Sequence, residues 1–393
     1  MIYLDHNATT PCAPEVVEAM LPWFTEKFGN AASRNHPMGW EAEEAVDQAR
    51  QQLANLLQVD TRELVFTSGS TEAINLALKG IYERYYQKGN HIITVKTEHK
   101  AVLDTCERIE KMGGEVTYLD VDKSGLIDIE ELEAAITEKT ILVAVMYANN
   151  ETGVIQPMQA IGDICAQKNV LFFSDATQTI GKVKTHPKTI NLSMLSFTAH
   201  KMYGPKGIGA LFVSQRSPRI KLAAQIDGGG HEGDMRSGTL NVPAIVGFGK
   251  AAAVAQNQME ADAEKLETLR DYFEAQLLTH ISYIHINGKD APRMPHVSNV
   301  AFEYTKSETL IKSFNRHIAV SSGSACSSAT LEPSHVLLAM GLDKELADAS
   351  VRFSLGRSTT KEQIDITIKE VIAAVEKLRA VNPVWEMFQQ GIL

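Results

Sequence analysis

Ile141-Leu142-Val143-Ala144-Val145-Met146 is a run of six apolar residues without polar alternation. A strand with one face in water alternates, whereas one covered on both faces does not; the run therefore reads as an interior strand of a parallel sheet. Amphipathic stretches with helical spacing flank it, Ile129–Glu138 before and Met158–Lys168 after. The same alternation extends outward in both directions. Leu64–Thr67, His91–Val95, Val116–Leu119, Val170–Ser174, Leu192–Phe197 and Ile208–Val213 read as further strands, with helices Thr71–Tyr86 and Lys100–Met112 between the early ones. Strands alternating with helices predict βαβ units, hence an α/β fold around a mostly parallel sheet of seven strands.

The character changes after Pro243. Residues 243–280 read as one long helix, Ala-rich and then charged, and the remainder carries fewer strands, near Tyr283–Ile286, Val297–Phe302 and Val351–Ser354, with a helix beginning near Thr360. A smaller α+β unit is expected there.

Composition narrows the function. The 393 residues are 44% hydrophobic and 22% charged with a net charge of −10 and no dense Lys/Arg run, the wrong balance for binding nucleic acid or an anionic membrane. Met1–His6 has no basic lead, so no signal peptide is expected, and the best apolar stretch, Val242–Ala255, is too short to span a bilayer. Cys12, Cys106, Cys165 and Cys326 are widely spaced, with neither CxxC nor zinc-type pairing, so no metal site is expected. A reducing, cytoplasmic setting is the expectation.

Two motifs fail on context. Asp120–Glu131 matches a calcium loop apart from Ser124, but Val116–Leu119 before it is strand-like where an entering helix is needed. It reads instead as a strand, a turn, and a helix capped by Asp128. Gly228-Gly-Gly-His-Glu-Gly233 fits GxGxxG, yet it closes no clear strand, opens no helix and lacks an acidic residue about 20 positions on. It reads as a close-approach loop.

Three other segments carry chemistry in combination. Ser193–Gly209 is a strand ending in Thr198-Ala-His200-Lys201 and then a Gly/Pro-rich turn. A lysine at a strand's C-terminal end, in an α/β crevice, is placed for Schiff-base chemistry; alone it would read as a surface lysine. Val170–Asp175 delivers a carboxylate to the end of a buried strand, suited to a protonated pyridine nitrogen, although a helix N-cap would serve as well. Leu64–Ala73 runs strand, small-residue turn, helix, a phosphate cradle unless Ser70 or Thr71 simply caps the helix. Phosphate seat, pyridinium partner and lysine together point to pyridoxal phosphate.

With these segments in place, the sequence resembles the fold-type I pyridoxal-phosphate enzymes, and among them the NifS/IscS-like cysteine desulfurases. The resemblance runs from Tyr3–Pro11 to Trp385–Gly391 and is carried chiefly by Ala199–Gly209, Gly228–Thr239, Ser321-Ser-Gly-Ser-Ala-Cys326-Ser-Ser328 and Val351–Arg357. It implies a large cofactor-binding domain over 15–258 and a smaller domain formed by 1–14 and 259–393. It implies that Lys201 carries the cofactor, Asp175 meets the pyridine nitrogen, Gln178 bonds the phenolic oxygen, and His99 stacks on the ring and moves protons. Ser70, Thr71, Thr198 and His200 would hold the phosphate, and Thr239 would reach in from the second subunit of a homodimer. Asn150 and Arg352 would grip the substrate carboxylate, for which a planar guanidinium is the natural clamp.

Cys326 would be the nucleophile. It sits among Ser, Gly and Ala, not among the apolar neighbours of a structural thiol, whereas Cys12, Cys106 and Cys165 read as structural. The implied reaction takes sulfur from L-cysteine, leaves L-alanine, and holds a persulfide on Cys326 for a sulfur-acceptor protein such as an iron–sulfur scaffold. Asn30-Ala-Ala-Ser33 departs from the family's usual Asn-Pro-Ser-Ser, and Thr198 stands where Ser is frequent. The alternatives are a selenocysteine lyase or aminotransferase on the same fold, a non-catalytic sulfur-carrier platform, and a cofactor-free Cys/His hydrolase.

Overall fold

The computed structural model describes residues 1–216, 219–322 and 333–392. A short strand β1 (Ile2–Tyr3) opens the chain, and seven strands then build the main sheet: β2 (Leu64–Thr67), β3 (His91–Val95), β4 (Glu115–Leu119), β5 (Thr140–Ala144), β6 (Leu171–Asp175), β7 (Met194–Thr198) and β8 (Gly209–Val213). Their spatial order is β2-β8-β7-β6-β5-β3-β4, parallel except for β8, which is antiparallel to both neighbours. The reversal at β8 has a local cause: only residues 199–208 separate it from β7, and a parallel return needs a crossover of a dozen or more residues.

Alternate residues along each strand enter opposite cores. Val65, Ile92, Leu142, Phe173, Met194 and Leu211 pack with the helices Ser70–Tyr85 and Lys100–Lys111. Phe66, Ile93, Val143, Phe172, Leu195 and Phe212 pack on the other face with Pro37–Leu57, Met158–Gln167 and the first turns of Val242–His280. Burial on both faces is why the Ile141–Met146 stretch shows no alternation.

The remaining strands are β9 (Ile284–Ile286), β10 (Val297–Phe302), β11 (Ile318–Ala319), β12 (Ser321–Ser322) and β13 (Ser350–Ser354). An antiparallel sheet of order β12-β13-β10-β9 covers the second half of the long helix and Lys361–Ala380, with Leu4, Phe273, Val300, Phe302, Phe353 and Ile368 in its core. β1 pairs with β11, and Asp5 bridges to Ser354, so the N-terminus crosses from this core toward the large sheet.

Two expectations shift. The helix from Ile129 stops at Ala135, not Glu138, because Ile136 is already extended. The strand at Ile141 stops at Ala144: the Val145 amide still bonds the Phe173 carbonyl of β6, but that of Met146 turns to Glu98 Oε1. Asp128 caps its helix as expected, accepting from the Glu130 and Glu131 amides.

Candidate active site

The C-terminal ends of the parallel strands, with the start of the antiparallel β8, open onto a cavity of ≈390 Å³. This is where an open α/β sheet binds ligands, because loops and helix N-termini converge there. Ser70, Thr71, His99, Asn150, Asp175, Gln178, Thr198, His200, Lys201 and Arg352 all line it. Thr239 does not; it is exposed, beside a smaller recess with Ser68 and Arg236. Cys326 lies outside the described residues.

The helix Ser70–Tyr85 starts at Gly69 with no side-chain cap, so the capping role open to Ser70 and Thr71 in sequence is not taken up. Its first-turn N–H groups and the positive end of its dipole face the cavity, as an anion requires. Gly209 of β8 permits this packing: a Cβ there would lie 2.7 Å from the Gly69 backbone. Glu72 steadies the turn by accepting from the Ser68 amide at 2.7 Å and pairing with Arg236 at 2.8 Å. Lys206 also lines the cavity and adds positive charge.

Asp175, at the end of β6, is 5% exposed. Its Oδ1 accepts from the Thr177 amide at 2.9 Å, the Thr177 hydroxyl at 2.5 Å and the Ser196 hydroxyl at 3.3 Å. Ser70 Oγ joins the network through Thr177 at 2.6 Å. Oδ2 accepts nothing among the described residues, which leaves a fixed carboxylate oxygen for a ligand donor.

Lys201 stands in the single turn Ala199–Lys201 after β7. Its ammonium donates to the carbonyls of Asn7 and, at 2.7 Å, Ala8. Asn7 is a hub brought in from the N-terminus: Nδ2 donates to the Asn150 carbonyl at 2.9 Å, Oδ1 meets His296 at 2.8 Å, and its carbonyl also accepts from Gln178 at 3.1 Å. His99 Nδ1 accepts from the Ala101 amide at 3.1 Å, so it is an N-cap and a cavity residue at once, with Nε2 left for other work. His200 is held neutral, its pKa lowered to about 4 by burial and by Lys201, Lys206 and Lys182. The Thr198 hydroxyl, in the cavity lining, donates to the Ile208 carbonyl at 2.9 Å.

Arg352, from β13, is 2% exposed. It donates to the Asn150 carbonyl at 3.0 Å and to Asp5 at 2.8 Å, while its Nε is buried with no partner among the described residues. An orphaned guanidinium donor in a cavity wall suits a carboxylate ligand. Asn7, Asp5, Lys206 and Lys182 were not singled out in sequence. Asn7 and Asp5 carried one signal, the polar Asp5-His-Asn-Ala-Thr-Thr10 after buried Leu4.

Burial disfavours the thiolate form of each remaining cysteine. Burial pushes the Cys165 thiol up to about 12 and that of Cys106 well above its usual value, and partly buried Cys12 is raised too.

These residues fit pyridoxal phosphate: an uncapped helix N-terminus for the phosphate, an unclaimed Asp175 oxygen for the ring nitrogen, a lysine, and an orphaned arginine donor for an amino-acid carboxylate. The chain matches the Aminotransferase class-V family over residues 2–367. It is 52% identical, over its whole length and 96% of the relative, to cysteine desulfurase IscS of Pectobacterium carotovorum subsp. carotovorum (strain PC1). A solved NifS-like protein superposes with a TM-score of 0.88 at 36% identity, covering 95% of this chain and 99% of that one. A structure described as SspA in complex with cysteine gives 0.81 at 36% identity, covering 92% and 100%. Residues, fold and relatives agree: the chain belongs to the class-V aminotransferase family, among the IscS- and NifS-like proteins.

Proposed function

We infer that the protein is a pyridoxal-phosphate-dependent cysteine desulfurase. The observation that carries this is the pairing, in one cavity, of Lys201 and Asp175 with the orphaned Arg352 Nε, which fits an amino-acid carboxylate. The cofactor supplies a carbonyl for the amine and a ring that stores electrons released at the substrate α-carbon.

The chain's residues do the rest. Arg352, backed by Asn150 and Asp5, orients the carboxylate of L-cysteine. Lys201 and His99 Nε2 are the groups placed to move protons at the α-carbon. Asp175 keeps the ring nitrogen protonated. Ser70, Thr71, Thr198 and His200 hold the phosphate with the helix N-terminus, and Thr239 reaches the corresponding site of a second subunit, an assignment its exposure supports. Cys326 takes the sulfur as a persulfide and passes it to an acceptor protein such as an iron–sulfur scaffold. The inertness of Cys106 and Cys165 supports giving that role to Cys326. The proposed division is 15–258 against 1–14 with 259–393, its boundary falling within the long helix. Among the described residues no helix is long and apolar enough to cross a membrane, and the proposed setting is cytoplasmic.

The test is to incubate the cofactor-loaded protein with L-cysteine, without reductant, and map persulfide by alkylation and peptide mass spectrometry. Sulfur on Cys326, lost on Lys201→Ala, is expected. A yellow protein that leaves every cysteine unmodified would sink the reading.

A further inference from the structure

Lys182 follows β6 in the turn that also holds Gln178, and no sequence motif singles it out. The residue as a whole is partly exposed, but its ammonium end is desolvated. It forms no ion pair with a carboxylate among the described residues; its one side-chain hydrogen bond goes to Gln178 Oε1 at 3.2 Å. Cations surround it. Burial, Lys201 and Arg352 lower its pKa to about 7, and Lys182 in turn lowers the pKa values of His6, His200 and His296. Placing a lysine here is costly, since neither a counter-charge nor bulk water offsets the desolvation.

The geometry shows what that cost secures. A primary amide has two orientations that differ only in exchanging oxygen and nitrogen, and its neighbours decide between them. At one end of the Gln178 amide stands Lys182, whose ammonium only donates. At the other stands the Asn7 carbonyl, which only accepts, 3.1 Å from Nε2. Both neighbours demand the same orientation; the flipped amide would set donor against donor and acceptor against acceptor. Gln178 is 5% exposed and lines the cavity, and Nε2 has a second hydrogen beyond the one given to Asn7. The Asn7 carbonyl is shared with Lys201, so among the described residues Lys182 is the one side-chain partner of Gln178 that does not also bond the reactive lysine.

We propose that Lys182 is a positioning residue: its bond to Gln178 Oε1 locks the amide so that Nε2, a donor, faces the phenolic oxygen of the cofactor. This rests on the reading of Gln178 as that donor. Lys182 touches neither cofactor nor substrate on this account and acts through Gln178 alone.

The test compares holoenzymes carrying Gln178→Ala, Lys182→Met, Lys182→Gln and the Gln178→Ala/Lys182→Met pair. Two readouts besides turnover are used: the pH midpoint of the cofactor's visible absorption band, and cofactor affinity measured by fluorescence on the cofactor-free protein. Loss of a donor to a phenolate leaves that oxygen more basic. Gln178→Ala is therefore expected to raise the midpoint and weaken cofactor binding by about tenfold, the scale of one hydrogen bond to a charged group. Lys182→Met is expected to shift both in the same direction, and the pair to shift them no further than Gln178→Ala alone, because the two residues act as one unit. Lys182→Gln, which can still donate to Oε1 but carries no charge, is expected to recover most of the wild-type behaviour.

No change on Gln178→Ala would overturn the role of Gln178 and the lock with it. A shift on Gln178→Ala with none on Lys182→Met would overturn the lock alone. Equal shifts from Lys182→Gln and Lys182→Met, persisting in the Gln178→Ala background, would show that Lys182 acts through its charge and not by positioning. A Lys182→Met protein that fails to fold leaves the decision to Lys182→Gln: wild-type midpoint and affinity support the lock, and a loss like that of Gln178→Ala refutes it.

Discussion

Replacing Asp175 by asparagine tests the electronic half of the site without disturbing its shape. Oδ1 already takes three donors, from the Thr177 amide, the Thr177 hydroxyl and the Ser196 hydroxyl. An asparagine must keep its oxygen there, since its NH2 could not accept from them, and so presents Nδ2 where Oδ2 had been. A donor then faces the ring nitrogen, which is itself the donor when protonated. The variant loses one charge-assisted hydrogen bond, about 1.5–3 kcal/mol, and gains a repulsive contact. If that bond is needed most where electrons enter the ring, kcat falls by at least the corresponding factor, roughly 10- to 150-fold. The assay is alanine released from L-cysteine at saturating cofactor, with far-UV circular dichroism and the melting temperature confirming that Asp175→Asn is folded. A folded variant with kcat within twofold of wild type would refute the assignment.

Arg352→Lys keeps the charge but loses the planar fork; KM for L-cysteine is expected to rise roughly tenfold or more in steady-state kinetics, and an unchanged KM would remove Arg352 from the substrate site. Glu232 is a stability prediction. Its carboxylate receives both terminal nitrogens of Arg50 and the Phe66 amide while itself 2% exposed, so Glu232→Ala strands Arg50 and should cost about 3–5 kcal/mol by urea unfolding. A cost below about 1 kcal/mol would contradict that ledger. His6 is held neutral, its pKa lowered from 6.5 to about 4 chiefly by burial and then by Lys182. The unfolded chain thus binds an extra proton between those values, and stability is lost as pH falls from 6.5 toward 4, by roughly 3 kcal/mol for this group. Urea unfolding across that window should be flatter for His6→Asn than for wild type; identical slopes would rule His6 out.

The main sheet was legible because its strands are buried on both faces, so that runs such as Ile141–Met146 and Val170–Ser174 carry no ambiguity about their surroundings. Strand ends were less so. Met146 is apolar, yet its amide leaves the ladder for the Glu98 side chain, a switch that hydropathy does not record. Lys201, Asp175 and the Ser70 turn were readable because each follows its own strand. Their partners were not: Lys201 meets Asn7 across 194 positions and Arg352 meets Asp5 across 347, contacts that only the closed fold creates. Lys182 escaped for another reason. Its role depends on the orientation of one amide, which no spacing encodes.

The most direct measurement of the central claim is the yield of alanine and sulfide from L-cysteine, with dithiothreitol, for cofactor-loaded wild type, Cys326→Ala, and the Cys106→Ala/Cys165→Ala pair. The account predicts equal amounts of the two products from wild type and from the pair, and neither from Cys326→Ala. Alanine and sulfide formed by Cys326→Ala at the wild-type rate would contradict it.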